Sequence, residues 1–426
     1  MKTPSTNLFL LIKSLSPSEK RYFSIFSGGE TNYFKLFNAI NQFDAVDEKN
    51  FSSKLSELGF KHNLKKTKQD LSEALEKCLV LYWNSNNPRI AVRELLSFAE
   101  ILQSKELFPL SNEAIERGIA IAERFELLNE WRSFLQLKLY SMEAIAFKGF
   151  SIRDLEQVHI QLRTIQGKNE EINQFAELAT GFHFRTFKDG HGKKQHGPIK
   201  DIPDRYEFKS YTGQLQYYNY KYAHFRLIRD FKNALKISTS ALKLIESRPA
   251  MISFNPRSYI IALAKICHIL LANKQPSRLF PYLKKLKELK TNTEFANNLR
   301  FYYYHSCQLT ALSGTGNFAA GILLFEKETV PFLKAYNKKP QQKQMIYFLA
   351  AQLYFGAENY SKAQSCLNII LNERLEVRSD IVYYSKFLQL LIIHEGNNFR
   401  LLESAMKSAY YLLKKKNPLP KQMHCS

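Results

Sequence analysis

The sequence predicts an all-α protein, a solenoid of helical hairpins that repeat about every 42 residues, preceded by a small N-terminal helical bundle. Two observations predict this class. Apolar residues recur at spacings of three and four over most of the 426 residues, and one helix corner recurs in the second half. The corner is clearest at Asn359-Tyr360, where one helix ends and another begins. Such repetition is typical of arrays whose hairpins bury their apolar faces against neighbouring hairpins.

The second residue of each corner serves here as its anchor, and neighbouring anchors are 45, 42, 42 and 39 residues apart. Positions nine and six before each anchor are all apolar or aromatic. Of the ten positions three and seven after the anchors, nine are small or apolar and Ser238 is small but polar. Offsets that differ by three or four share a helical face, so we predict five helix pairs over residues 210–415. The anchors are Phe231, Pro276, Phe318, Tyr360 and Phe399. The residues predicted to be buried nine positions before them are Tyr222, Cys267, Leu309, Ala351 and Leu390.

One repeat departs from this pattern ten residues after its anchor. Glu328 stands at this position, and the corresponding residues of the other repeats are Ala241, Leu286, Ile370 and Ala409.

Two repeats carry the fullest set of corner residues. The later one contains Tyr347, Ala351, Tyr354, Tyr360 and Ala363, and the earlier one contains Phe225, Asp230, Phe231, Ala234 and Ala241. This pattern resembles the tetratricopeptide repeat, whose Gly-Asp-Tyr corner is followed by Ala and then by an aromatic residue. The period of this chain is longer than the period of that family, which is roughly 34 residues. The resemblance implies a helical-hairpin array and, by analogy of fold, a protein-binding role.

The chain divides into four predicted segments. Ser16-Pro17-Ser18-Glu19 has the residues of a capped helix start, and further N-terminal helices are expected over residues 32–43, 47–58 and 64–83. Residues 187–204 contain three Gly and two Pro, so this stretch cannot be the interior of a helix. The segments are an N-terminal bundle or capping unit (1–85), degenerate helical hairpins with a corner at 149–152 (86–186), an exposed basic loop (187–204) and the repeat array (205–426).

The net charge of +22 belongs mainly to the second half. Residues 201–426 carry 33 Lys and Arg against 15 Asp and Glu, whereas residues 1–200 carry 28 against 24. Such a half can attract an acidic protein, nucleic acid or an anionic membrane, or it can keep an elongated protein in solution. Four lysines fall on one predicted hairpin, and tyrosine pairs and triplets on the array helices must leave some rings at the surface. The candidate partner-binding residues are Lys284, Lys285, Lys287, Lys290, Tyr303 and Tyr384.

A second candidate site lies in the N-terminal segment. Lys65, Lys66 and Lys68 fall in the first turn of a predicted helix, where the helix dipole disfavours positive charge. With the helix over 47–58, this helix would form a helix-turn-helix whose lysines contact phosphates. Asp70 and the glutamates that follow favour an ordinary solvated surface instead. Nucleic-acid binding, here or along the basic array, is the alternative to protein binding.

The sequence contains none of the H-E-x-x-H, C-x-x-C, G-x-S-x-G or P-loop motifs. We therefore expect no enzymatic activity and no cofactor. His183, His191 and His196 do not match the spacing of a closed zinc site, so no metal is expected either. Five widely separated cysteines indicate thiols in a reducing compartment, the cytoplasm, and no apolar run is long enough to cross a bilayer. The expected function is a non-enzymatic scaffold that binds another protein, with the oligomeric state left open.

Overall fold

The computed structural model describes residues 5–29, 31–42, 63–85, 87–189, 206–291, 293–335, 340–372, 379–397 and 399–416. Helices joined by short connections make up these residues, and no strand occurs among them. The predicted all-α class is therefore confirmed. The contacts divide the chain into two compact units. The first comprises residues 1–176 and 205–214, and the second comprises residues 177–204 and 215–426.

Among the described residues the first unit begins with four helices, and all but the first of them begin where the sequence predicts a helix. They are α1 (Ser5–Ser14), α2 (Pro17–Phe26), α3 (Asn32–Gln42) and α4 (Leu64–Asn84). Ser16 caps α2, because its backbone N–H donates to Glu19 Oε2 at 2.7 Å and the Glu19 N–H donates to Ser16 Oγ at 3.3 Å. Trp83 donates its indole N–H to Glu19 Oε1 at 2.9 Å, which joins the end of α4 to the start of α2. The predicted helix over 47–58 lies outside the described residues.

The rest of the first unit is a run of antiparallel helices. They are α5 (Pro88–Ser104), α6 (Phe108–Arg124), α7 (Leu128–Ala144) and α8 (Ile152–Asp189), whose C-terminal part belongs to the second unit. The connection between α7 and α8 confirms the corner predicted at 149–152. Helix α8 includes the first three residues of the predicted loop 187–204, and residues 190–204 lie outside the described residues.

The second unit contains the five predicted helix pairs, and every bend falls within three residues of its predicted anchor. In chain order the helices are α9 (Tyr211–Leu227), which begins in the first unit, α10 (Phe231–Glu246), α11 (Pro249–Phe254), α12 (Pro256–Ala272), α13 (Phe280–Glu288), α14 (Glu294–Gly314), α15 (Phe318–Leu324), α16 (Val330–Ala335), α17 (Pro340–Gly356), α18 (Tyr360–Asn372), α19 (Ser379–Glu395) and α20 (Phe399–Lys416). A 3₁₀ turn, Pro276–Leu279, precedes α13. The additional helix α11 and the long helix α14 help to explain why the period exceeds that of the tetratricopeptide repeat.

The recurring corner has one backbone geometry. The residue two positions before each anchor has φ between 54° and 72°, in the left-handed region, and only one of the five is glycine. At the four corners with a described closing residue, the N–H just before the anchor donates to the carbonyl six residues before the anchor, at 2.8–2.9 Å. This pairing satisfies carbonyls that a helix end leaves without partners. The left-handed residues are Arg229, Lys274, Gly316, Glu358 and Asn397.

The predicted inward stripe is buried in four repeats and weakens in the fifth. Tyr222, Cys267, Leu309 and Ala351 are buried, with relative exposures between 0 and 6%. The fifth predicted residue, Leu390, is only partly buried, so the prediction is wrong there. Leu390 belongs to the last described helix pair, which has no further described hairpin to cover its outer side.

Small residues allow close helix approach, but between different helices from those expected. Small residues three positions after an anchor, such as Gly321, predict a close approach between the two helices of one hairpin. In the structure Gly321 of α15 faces α17, the first helix of the next hairpin, and a Cβ at Gly321 would lie 2.5 Å from Leu353 Cδ2. A Cβ at Gly356 would overlap the ring of Phe318 in the same way. These glycines therefore set the distance between neighbouring hairpins.

The unusual Glu328 is accommodated by a local change of helix type. A π-helical turn, Phe325–Thr329, joins α15 to α16 and widens the helix by about one residue. Glu328 is consequently exposed, and Thr329 is fully buried in its place. Thr329 Oγ1 lies 2.9 Å from Nδ1 of the buried His305 on α14. Burial, together with Lys287 and Arg300, lowers the pKa of His305 to about 4, so the ring is neutral at pH 7.

The burial of Ala363 provides a test of the repeat register. Ala363 has no exposed surface and lies in the apolar core that α18 shares with α17 and α19. We expect Ala363→Glu to bury an unpaired charge and to lower the free energy of unfolding by at least about 3 kcal/mol. Ser365→Glu adds the same charge at an exposed position of α18 and should change it by less than about 0.5 kcal/mol. Equal denaturation midpoints for the two variants would contradict the register.

The π-helical turn predicts that Thr329, and not Glu328, occupies the buried position, and two substitutions test this. Thr329→Val keeps the side-chain shape but leaves a buried His305 nitrogen without its partner, which should cost about 1–3 kcal/mol of stability. Glu328→Leu places an apolar residue at a position that is already exposed, so the stability should change little. Urea denaturation of both variants measures this difference. A stabilising Glu328→Leu with a silent Thr329→Val would mean that residue 328 occupies the buried position, as in the other repeats.

Candidate functional site

The four predicted lysines on and after α13 lie at the surface, but two of them already face carboxylates. Lys285 Nζ lies 2.6 Å from Glu246 Oε1, and Lys284 Nζ lies 3.9 Å from Glu288 Oε1. Lys287 lies over the ring of Tyr304 with its Nζ 5.9 Å from the ring centroid. Lys290 is exposed just beyond the helix. The structure brings these lysines together on one hairpin, where intramolecular ion pairs offset part of their charge.

The two predicted tyrosines lie in different places. Tyr384 on α19 is 61% exposed, and its ring centroid lies 6.3 Å from that of Phe348. Tyr303 on α14 is partly buried and lies edge-on to His268 of α12, with 5.8 Å between the ring centroids. Tyr303 therefore faces the first helices of its neighbouring hairpins and does not join the lysines of α13. It is Tyr304, the next residue, that contacts Lys287.

The N-terminal lysines lie in the first turn of α4, as predicted. Lys65 and Lys66 are exposed and Lys68 is partly buried. The preceding helix of the predicted helix-turn-helix lies outside the described residues, so its geometry stays a prediction.

A cationic cluster that the sequence reasoning missed lies on α9, α12 and α14. Its centre is Lys265, whose Nζ donates to Asn219 Oδ1 at 2.6 Å and lies 4.6 Å from the ring centroid of Tyr222. Arg226 hydrogen-bonds to Tyr222 one turn along α9. His268 follows Lys265 by three residues and therefore shares its face of α12. The cationic cluster is defined here as Arg226, Arg257, Lys265 and His268, with Asn219, Tyr222 and Tyr303 as its neutral polar neighbours.

The surroundings of Lys265 and His268 disfavour the positively charged form of both side chains. Burial, together with repulsion from Arg226, lowers the pKa of Lys265 to about 8. His268 keeps an exposed surface, but its ring lies against Tyr303. Partial desolvation, together with repulsion from Arg226, lowers the pKa of His268 to about 4. At pH 7 Lys265 is thus mostly charged and His268 is neutral. The charged neighbour that acts on both groups is itself a cation.

The tyrosines of the cluster stay protonated. Burial raises the pKa of Tyr222 and of Tyr303, although Arg226 acts on the first and Arg257 on the second in the opposite direction. Their hydroxyl groups are therefore neutral donors and acceptors beside the cations. Chemically, the cluster can accept an anionic group through two or three cations and several hydrogen-bond donors.

One signal in the sequence could have pointed to this cluster. Arg226, Lys265 and His268 interrupt the apolar pattern of the first helices, and Lys265 and His268 lie on either side of the buried position Cys267. A lysine and a histidine so close to a buried stripe indicate a polar face directed into the fold or into a groove. Which residues of α9 and α14 they would meet depends on tertiary packing, so spacing within one helix cannot show it.

Other surfaces of the described residues show weaker signs of a binding site. A shallow depression on α6 and α7 is lined by Glu116, Arg117 and Lys138, but Lys138 forms an ion pair with Glu116. Among the described residues, no group of three or more His, Cys, Asp or Glu side chains is placed to hold a metal ion. In the part of the chain that the structure describes, no helix is both long and apolar enough to cross a membrane.

Comparisons of the chain with protein-family models, with curated proteins and with solved structures gave no match. The chemistry of the cationic cluster is therefore derived from its own residues.

The lowered pKa of Lys265 predicts an effect on stability. A lysine whose folded pKa lies below its unfolded value destabilises the fold fully below the folded pKa, and this penalty disappears as pH rises to the unfolded value. Lys265→Met should thus raise the free energy of unfolding at pH 7 by on the order of 1–3 kcal/mol, since the lost contacts to Asn219 and Tyr222 offset part of the gain.

Chemical denaturation from pH 7 to pH 10.5 measures this effect. The stability gain of Lys265→Met should shrink between pH 8, the folded pKa, and pH 10.5, the ordinary value for lysine. Lys236→Met removes an exposed lysine of α10 and should change stability by less than about 0.5 kcal/mol at pH 7. A destabilised Lys265→Met protein would show that this ammonium group stabilises the fold.

Proposed function

We propose that this chain is a non-enzymatic, tetratricopeptide-like scaffold that binds an acidic peptide or protein segment on the surface of its repeat array. The observation that carries the proposal is the cationic cluster. Two first helices, α9 and α12, place Arg226 and Lys265 close enough to repel each other, beside neutral tyrosines of α9 and α14. Like charges at this proximity cost free energy in the isolated protein. A ligand carboxylate would remove that cost and gain charge-assisted hydrogen bonds.

The lysines of α13 extend the same preference for acidic partners. Lys287 and Lys290 are exposed, and Lys284 and Lys285 can exchange Glu288 and Glu246 for carboxylates of a partner, since exposed ion pairs contribute at most about 1 kcal/mol. Exposed Tyr384 adds an aromatic contact of the kind enriched at protein interfaces. These lysines act mainly by attracting the partner, because solvent and salt screen their charge.

The cytoplasm is the compartment that we propose for this interaction. Cys78, Cys267, Cys307 and Cys366 are free thiols, which suits a reducing environment.

Nucleic-acid binding is the second candidate function. It is favoured by Lys65 and Lys66, which are exposed in the first turn of α4, where phosphate contact would offset their unfavourable position in the helix dipole. For the array this alternative is weaker, because Glu246 and Glu288 lie beside two of the lysines and would repel a phosphate backbone.

A selection experiment tests the proposed function. The full chain is immobilised and used to select from a displayed library of random dodecapeptides at physiological salt. We expect the selected peptides to be enriched in Asp and Glu, because the array carries unbalanced positive charge. In parallel, labelled single- and double-stranded oligonucleotides are titrated by fluorescence anisotropy across a salt series. We expect weak binding, micromolar or weaker.

Two results would contradict this proposal. One is the absence of acidic enrichment among the selected peptides. The other is tight oligonucleotide binding with a steep salt dependence that becomes shallower by about three units when Lys284, Lys285 and Lys287 are replaced by alanine. The second result would establish nucleic acid as the ligand of the array. If instead replacing Lys65, Lys66 and Lys68 makes the slope shallower, nucleic acid would bind the N-terminal helices.

A further inference from the structure

We propose that Arg226, Lys265 and His268 form a preorganised pocket for one carboxylate group of a bound peptide, so that the partner must present an acidic residue at a fixed position. This inference rests on the proposed function and assigns its recognition step to three side chains. The lysines of α13, by contrast, attract any acidic partner without fixing its register.

The geometry of the pocket is set by contacts that already hold its donors in place. The 2.6 Å hydrogen bond from Lys265 to Asn219 and its position over Tyr222 use part of the donor capacity of the ammonium group. An ammonium has three N–H donors, so others remain available to a ligand. Arg226 is anchored to Tyr222 and is exposed, and His268 lies against Tyr303 with part of its ring open to solvent. Restraining the donors before binding lowers the entropy cost of binding.

The ligand chemistry follows from charge. Arg226 is the charged group that acts on both Lys265 and His268. Within the described residues no carboxylate forms an ion pair with either of them, whereas Glu246 pairs with Lys285. One guanidinium, one ammonium near its titration point and one neutral imidazole suit a monoanion. A carboxylate is therefore the anion that we assign.

Binding of a carboxylate has a consequence that distinguishes this pocket from the surface lysines. An anion beside Lys265 favours its charged form, so the pKa of Lys265 should rise from about 8 toward its ordinary value, and the complex should take up protons near pH 8. The other groups of the cluster do not titrate there. An arginine guanidinium does not lose its proton in proteins. His268 is already neutral, and Tyr222, Tyr303 and Cys307 have pKa values raised by their surroundings.

The test uses three labelled decapeptides on the full chain. The first alternates Glu and Ala, the second replaces every Glu by Gln, and the third replaces every Glu by phosphoserine. We expect the Glu peptide to bind best to the unaltered protein. Lys265→Met should weaken it at least about tenfold, as expected for a charge-assisted hydrogen bond, whereas the matched control Lys236→Met should stay within about twofold. Because Lys265→Met is expected to be more stable, weaker binding cannot be attributed to unfolding.

Calorimetry at pH 8 supplies the second readout. In two buffers that differ in ionisation enthalpy, the unaltered protein and Lys236→Met should take up a measurable fraction of a proton per Glu peptide bound, and Lys265→Met should take up none. A pocket that only contributes long-range attraction would give no proton uptake in any variant, and that result would overturn the inference.

Each remaining outcome has one meaning. If the Glu peptide binds and Lys265→Met binds it equally well, the pocket is wrong and the scaffold proposal stands. If only the phosphoserine peptide binds, the assigned anion is wrong. If no peptide binds the unaltered protein at millimolar concentration, the pocket is overturned, and the dodecapeptide selection decides the scaffold function separately.

Discussion

The left-handed residue at each helix corner is the constraint on which the array depends. It ends one helix, lets the next begin within about three residues, and closes the corner through a backbone hydrogen bond across it. Because the geometry is a backbone property, Arg229, Lys274 and Glu358 adopt it as Gly316 does, each at a modest cost in strain. The same geometry occurs at Glu106 and Glu126 in the first unit, where no Asn-aromatic pair marks it in the sequence.

Because the corners share one backbone geometry, successive hairpins stack in a regular way. The residues at the contacts between hairpins then set the local helix spacing and helix type. Gly321 and Gly356 allow α15 and α17 to approach closely. The π-helical turn at Phe325–Thr329 accommodates a glutamate at a position that is apolar in the other repeats. The extra residue in this turn moves Glu328 to the surface and Thr329 into the core. The repeats therefore tolerate sequence change as long as the buried stripe is kept.

Stacking also creates the candidate site. The first helices of successive hairpins lie side by side, so polar residues on their shared face meet across helices although they are a whole repeat apart in sequence. Arg226, Lys265 and Tyr303 are brought together in this way. The cluster keeps cations close to one another in a partly desolvated place, which is unfavourable for folding and supports the binding role that we propose. The lysines of α13, paired with Glu246 and Glu288, carry no such penalty.

The sequence by itself determined the helical class, the positions of the five bends and most of the buried stripe, because helix periodicity and helix stops are local properties of the chain. It also located the lysines of α13 and the cap at Ser16. Only the tertiary structure decided that Gly321 faces the next hairpin, that Thr329 replaces Glu328 inside, and that Tyr303 faces His268. The physical reason is that a residue's neighbours across helices depend on how hairpins stack, and stacking is fixed by contacts between residues distant in sequence.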